Sequence, residues 1–187
     1  PVVATDADLA GQVAAERDYW LLTLYNIDPT HAALPEGADP ADLVAAGNAA
    51  GLADAITQAR PLADSLIDER LDHLPSTEAA LDAVRVLAAR PADRWIAGTE
   101  DIAERTGLPS ALVRSALASM VQARNANPRK ATQVATDQIA TTKDRLTAIK
   151  TEHGEAEVIE SVDPTARRTR PEPLPTLEPP RQHGVSW

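Results

Sequence analysis

The chain has 187 residues, a formal net charge of −10 and no cysteine, which excludes disulfides, thiolate zinc sites, iron–sulfur clusters and cysteine nucleophiles. Aromatic residues make up 3% of the chain, so its core must be built from aliphatic side chains, and its abundant alanine favours helices over strands. No apolar run reaches the roughly 18 residues of a transmembrane helix, and the N-terminus lacks a secretory signal. We therefore expect an all-α, cytoplasmic protein without a membrane partner.

Residues 1–90 form a predicted acidic helical unit that carries 15 acidic and five basic side chains. Apolar residues that recur three and four positions apart predict helices along it. Asp39 followed by Pro40 is typical of a helix start, because an acidic cap and a proline in the first turn favour initiation. Four helices are predicted. The first covers residues 5–27, the second runs from Pro40 to Pro61, the third follows Pro61, and the fourth runs from Ser76 to Pro91.

The middle segment, residues 91–127, contains a pattern of two short helices joined by a glycine turn. The sequence from Thr99 to Val121 reads TEDIAERTGLPSALVRSALASMV. Two helices that cross steeply need a small residue at the crossing, here Ala103, and their tight turn needs a residue that tolerates a left-handed backbone, here Gly107. This pattern resembles the helix-turn-helix of bacterial regulators and winged-helix domains.

The resemblance implies DNA binding by the second helix, whose early residues would meet base edges in the major groove. The segment is also locally basic, because no acidic residue lies between Arg105 and Thr136. The residues that would face the groove are Ser110, Ala111, Arg114 and Ser115. Arg114 is the candidate for reading a base, since its guanidinium fork matches the edge of guanine. The residues that would contact phosphates are Arg105, Arg124, Arg129 and Lys130.

Two features depart from the family pattern. Pro109 stands where a polar capping residue is usual, and no β-hairpin wing follows the second helix. An ordinary helical hairpin would use the same alanine and glycine for packing alone, and the same fold can also dock proteins. Both alternatives stay open at this point.

A long polar helix is predicted for residues 128–160, followed by a tail at 161–187. A weak heptad seam runs along the helix through Ile139, Leu146 and Ile149. We expect residues 129–160 either to pack against the middle segment or to project from it and bind a protein partner or a second copy along this seam. The tail is rich in proline and arginine and cannot bury enough apolar area to offset its ordering entropy, so we expect it to be disordered.

No catalytic or metal-binding pattern stands out in the sequence. The four histidines lack zinc-site spacing, no serine lies in a nucleophile elbow, and no glycine loop could cradle a phosphate. One acidic cluster is more typical of a solvated helix face than of a metal site: Asp64, Asp68, Glu69 and Asp72. We therefore expect a non-enzymatic protein with no cofactor and no metal.

The leading hypothesis is DNA binding by a bacterial, plasmid or phage regulator or DNA-handling accessory. The alternative is an interaction or assembly module, such as an accessory region of a larger polypeptide.

Overall fold

The computed structural model describes residues 1–35 and 38–152, and over these ranges the chain is largely α-helical. The all-α prediction is confirmed, although three very short strands accompany the helices. The helices are α1 (Leu9–Thr23), α2 (Pro40–Ala45), α3 (Ala49–Thr57), α4 (Leu62–His73), α5 (Ser76–Ala88), α6 (Trp95–Thr106), α7 (Ser110–Ala126) and α8 (Pro128–Glu152), with a 3-10 turn at Ala92–Arg94. The strands are β1 (Val2–Val3), β2 (Thr30–His31) and β3 (Arg60–Pro61). The predicted tail at 161–187 and residues 153–160 of the predicted long helix lie outside the described residues.

The first two helices begin at aspartate caps. The Asp8 carboxylate accepts the backbone N–H of Gly11 at 2.7 Å, so α1 begins after Asp8 and not at the predicted Thr5. The Asp39 carboxylate accepts the backbone N–H of Asp42 at 2.6 Å and starts α2 where the sequence predicted it. In both cases a side chain satisfies one of the N–H groups that lack a partner within the helix.

The predicted helix from Pro40 to Pro61 is divided into the α2–α3 hairpin. Gly47 adopts a left-handed backbone with φ of 76°, which ends α2. Asn48 then caps α3 by accepting the backbone N–H of Gly51 at 3.1 Å. A continuous helix through this point would need the glycine to give up a conformation that it adopts easily and that other residues avoid. Neither helix of the hairpin contains a buried residue.

The three strands were not predicted from the sequence. They form one sheet in the order β1-β2-β3, in which β1 runs parallel to β2 and β2 runs antiparallel to β3. Val3 pairs with His31, and His31 pairs with Arg60. The strand β1 is N-terminal, and β2 and β3 lie before and after the α2–α3 hairpin. The sheet therefore holds the N-terminal segment against both ends of the segment that contains the hairpin.

Helix α5 lies at the centre of the packing and contacts α4, α6 and α7. Its Leu87 is fully buried, and so is Ile102 of α6. Tyr19 of α1 is also fully buried and donates its hydroxyl to the backbone oxygen of Val86 at 2.8 Å. Burial raises the pKa of the Tyr19 phenol well above its ordinary value. One core thus draws on the predicted acidic unit and the predicted middle segment, and the boundaries drawn between those segments stay predictions.

Helix α8 packs against α1, α4 and α7. Two residues of the predicted seam, Ile139 and Leu146, are buried within the chain, and Ile149 packs beside Leu146. The helix thus packs against α7 of the middle segment, as one of the alternatives predicted, and also against α1 and α4 of the acidic unit, which the sequence did not predict. None of the helices within residues 1–35 and 38–152 has the length and apolar character needed to cross a membrane.

A buried ionic cluster fastens α8 to the core. Glu16 of α1 accepts a hydrogen bond from Arg70 of α4 at 2.5 Å and lies 3.8 Å from the ammonium of Lys143 on α8. Lys143 also pairs with Glu69 of α4. Glu16, Arg70 and Lys143 are each no more than 3% exposed. Two acidic and two basic side chains thus neutralise one another where three helices meet.

Candidate nucleic-acid interface

The predicted turn between α6 and α7 is present, but the second helix is longer than the short helix that the sequence predicted. Gly107 ends α6 with a left-handed backbone at φ of 69°, as expected for this position. Ala103 and Val113 are buried between the helices and the core. Helix α7 continues for 17 residues, so it is a long core helix and not a short recognition helix.

The four residues predicted to face a DNA groove lie at the start of α7. Three of them, Ala111, Arg114 and Ser115, are exposed, whereas Ser110 is half-buried. Arg114 lines shallow cavities with Trp95 of α6, and Glu100 lies in one of them. These residues lie at the opposite end of α7 from the cations described below.

Arg105, a predicted phosphate contact, is engaged by the acidic helix α4. Its guanidinium donates hydrogen bonds at 2.6 Å to Asp68 and at 2.6 Å to Asp72, and it lies 3.7 Å from Asp101. The hydrogen bond with Asp68 contributes most to raising the pKa of Arg105. A phosphate that approached this guanidinium would have to displace carboxylates, so we do not include Arg105 in the candidate site.

The other three predicted phosphate contacts come together where α7 ends and α8 begins. Arg124 lies in the last turn of α7, and Arg129 and Lys130 lie in the first turn of α8. Asn127 separates the two helices, and its side-chain oxygen accepts the backbone N–H of Lys130 at 3.0 Å. Arg85 of α5 lines the same region. We refer to Arg85, Arg124, Arg129 and Lys130 as the junction cations.

A cavity of about 510 Å³ lies between these helices and α1. Trp20, Met120 and Val134 contribute to its apolar part, and Arg85, Arg124 and Lys130 supply positive charge. Among the described residues that line it, none is acidic. A volume of this size with an apolar lining and a few polar groups falls within the range of ligand sites.

Arg124 is one of three junction cations without a carboxylate partner among the described residues, and it is the one whose pKa burial lowers. One of its nitrogens donates to the backbone oxygen of Thr23 at 2.7 Å, and no carboxylate of the described residues lies within ion-pair distance of it. Burial lowers the pKa of its guanidinium. Arg85, in contrast, pairs with Asp82 at 2.7 Å. An anion bound in the cavity would supply Arg124 with the counter-charge that the described residues do not provide.

A second cavity of about 410 Å³ adjoins the first, and Asn127 lines both. Tyr25 and Arg129 also line this second cavity. Tyr25 is 77% exposed, although large apolar side chains normally gain from burial. The sequence did not identify Tyr25 or Arg85 as site residues, because both reach the junction through tertiary packing and neither belongs to a local motif.

The acidic cluster of α4 serves ion pairing. Asp68 and Asp72 hold Arg105, Asp64 pairs with Arg90 at 2.5 Å, and Glu69 pairs with Lys143. Within residues 1–35 and 38–152, no group of three or more histidine, cysteine, aspartate or glutamate side chains is arranged to hold a metal ion.

Comparison with known proteins relates this fold to DNA primases. No protein-family model matches the chain, and no curated protein matches it. A solved DNA primase domain from Pseudomonas aeruginosa is similar in structure, with 27% sequence identity and a TM-score of 0.52 over 62% of this chain and 40% of that one. The catalytic core of DnaG matches with 21% identity and a TM-score of 0.48 over 60% of this chain and 40% of that one. The chain thus spans less than half of either structure.

The likeness to the Pseudomonas aeruginosa domain corrects two expectations. The helix-turn-helix resemblance over residues 99–121 is wrong, because the structural neighbour is a primase domain and not a helix-turn-helix DNA-binding domain. The physical reason is that a small residue and a glycine turn serve any two packed helices, and here they serve a helical core. The expectation of a non-enzymatic protein is also contradicted, because the similar structure is a DNA primase domain. What these comparisons establish is that this chain has a fold similar to part of a DNA primase domain.

Proposed function

We propose that this chain is the helical part of a primase-like, DNA-handling enzyme, in which the junction cations hold nucleic acid. The observation that carries this proposal is the likeness to the Pseudomonas aeruginosa primase domain, at 27% identity over 62% of the chain. The geometry of the α7–α8 junction supplies the candidate contact surface, because three of its cations have no carboxylate partner among the described residues: Arg124, Arg129 and Lys130.

Electrostatics favour the junction over the rest of the molecule. Contacts to phosphates depend on basic side chains that can release condensed counterions from the nucleic acid. In a chain of net charge −10, most basic residues of the core are already paired with carboxylates, as Arg70, Arg90 and Arg105 are. The junction brings three cations without a carboxylate partner among the described residues to one place, whereas other unpaired arginines, such as Arg60 and Arg114, lie on separate helices or strands.

The test measures how nucleic-acid binding by the full chain depends on salt. Fluorescence anisotropy with a labelled single-stranded DNA of mixed sequence would give the affinity at several salt concentrations. Each phosphate contact on a single strand contributes about 0.7 to the slope of log affinity against log salt. The double variant Arg129→Ala/Lys130→Ala should therefore weaken binding and lower that slope by about 1.4.

A matched control removes two exposed arginines elsewhere. Arg114 is ten residues from Arg124 along α7, about 15 Å at the rise of an α-helix. Arg94→Ala/Arg114→Ala makes the same change in net charge as the junction variant and should leave the slope nearly unaltered. Equal effects of the two double variants would show that binding follows overall charge, and the junction would then lose its role. No measurable binding by the unaltered chain would contradict the proposed function itself.

A further inference from the structure

The exposed ring of Tyr25 is the feature that the proposed function does not yet explain. The two aromatic residues of the preceding helix α1, Tyr19 and Trp20, are buried in the core. Tyr25 is 77% exposed and lines a cavity at the junction together with Arg129. A side chain with this exposure contributes little to the core, so its position indicates a contact with something outside the chain.

The backbone holds Tyr25 on a defined turn at the end of α1. Its N–H donates to the backbone oxygen of Leu22 at 2.9 Å, and the N–H of Ile27 donates to the same oxygen at 3.2 Å. Between them Asn26 adopts a left-handed backbone with φ of 57°, a conformation that asparagine tolerates better than most residues. Asp28 then pairs with Arg90 at 3.1 Å. The ring therefore projects from a segment that is fixed on both sides.

Positively charged side chains and apolar cavity walls both lie near the Tyr25 ring. Arg129 shares its cavity, and Asn127 lines both that cavity and the larger one. The larger cavity is lined by Arg124 and Lys130 and by the apolar Met120 and Val134. Proteins that bind single strands combine a positively charged path for the backbone with aromatic faces on which bases stack. The junction has both components in two cavities that share Asn127.

Resting on the proposed function, we propose that Tyr25 stacks on an unpaired base of a nucleic acid whose phosphates lie along Arg129, Lys130 and Arg124. The apolar part of the larger cavity takes an adjacent base. Stacking needs access to the face of a base, which a duplex covers with neighbouring base pairs. Tyr25 is thus a specificity-determining residue that makes the junction select unpaired over paired strands.

The test compares Tyr25→Ala with Tyr25→Phe in the full chain, using a labelled single-stranded DNA and a duplex of the same sequence. Loss of one base–aromatic stack lowers affinity by about 5- to 150-fold, so Tyr25→Ala should weaken single-strand binding within that range. Tyr25→Phe keeps the ring and should bind as the unaltered chain does. Neither variant should change the salt slope, because tyrosine carries no charge in the contact, and duplex affinity should stay the same.

The outcomes separate this inference from the proposed function. If Tyr25→Ala binds single strands as well as the unaltered chain while Arg129→Ala/Lys130→Ala binds poorly, stacking is overturned and the proposed function stands. Equal losses for single strand and duplex would also overturn stacking. If a polyglutamate peptide displaces the DNA with the same dependence on Tyr25, the surface is one for acidic protein segments and the inference is wrong. Loss of all binding in the unaltered chain would remove the proposed function and the inference together.

Discussion

The buried ionic cluster makes a quantitative prediction about stability. Glu16 is 1% exposed, accepts hydrogen bonds from Arg70 and from the indole of Trp20 at 3.3 Å, and lies 3.8 Å from Lys143. Glu16→Gln keeps the shape of the side chain and removes its charge. The cluster then holds two cations and one carboxylate, that of Glu69, so its net charge changes from zero to +1.

The expected cost follows from that imbalance. Removing one partner of a buried ion pair leaves an uncompensated charge and costs about 3–5 kcal/mol of unfolding free energy. For a chain of this length, 1 kcal/mol corresponds to about 2–4 °C in Tm, so Glu16→Gln should lower Tm by roughly 6–20 °C. Glu78→Gln is the matched control, because it removes a carboxylate from an exposed pair with Arg145 and should cost about 0–1 kcal/mol.

A double-mutant cycle tests the charge argument directly, with urea unfolding followed by circular dichroism. Glu16→Gln/Lys143→Met restores a neutral cluster, since Arg70 and Glu69 remain. The double variant should therefore cost less than the sum of the single variants, with a coupling of about 1 kcal/mol or more. The reasoning is refuted if the two effects add, or if Glu16→Gln costs no more than Glu78→Gln.

Two further predictions concern the core and the sheet. Leu87→Ala should lower the unfolding free energy by about 2–5 kcal/mol in urea titrations, because Leu87 is fully buried at the centre of the packing; a loss below 1 kcal/mol would show that α5 is not central. Burial lowers the pKa of His31, so the folded chain keeps it neutral at pH values where the unfolded chain takes up a proton. Stability relative to His31→Gln should therefore be full above about pH 6.5 and fall below it, and parallel pH profiles for the two proteins would contradict this.

The sequence predicted those parts of the fold that local interactions determine. Asp39 caps α2 and Gly107 ends α6 as expected, because each acts on backbone groups within a few residues. The strands could not be predicted in this way. Each has two residues, and Val3, His31 and Arg60 acquire strand geometry only through pairing with distant segments.

The candidate site shows the same division between local and distant causes. The lack of acidic residues between Arg105 and Thr136 predicted that the cations at the junction are available for phosphate, and this signal is local. The carboxylates that engage Arg105 are 33 and 37 residues away, on a helix whose position the sequence alone does not give. Tyr25 reaches Arg129 because α1 packs against α8, so no motif around either residue could have linked them.

Helix α8 connects the stability of this protein with its proposed function. Lys143 is fixed in the buried cluster, and Lys130 lies 13 residues before it, about 20 Å along the helix axis. Since an α-helix is stiff over that length, the cluster and the buried Ile139 set where the first turn of α8 lies. The acidic excess of the chain thus has a structural use. Its carboxylates engage the cations of the core and hold α8 in place, whereas Arg124, Arg129 and Lys130 at the junction have no carboxylate partner among the described residues.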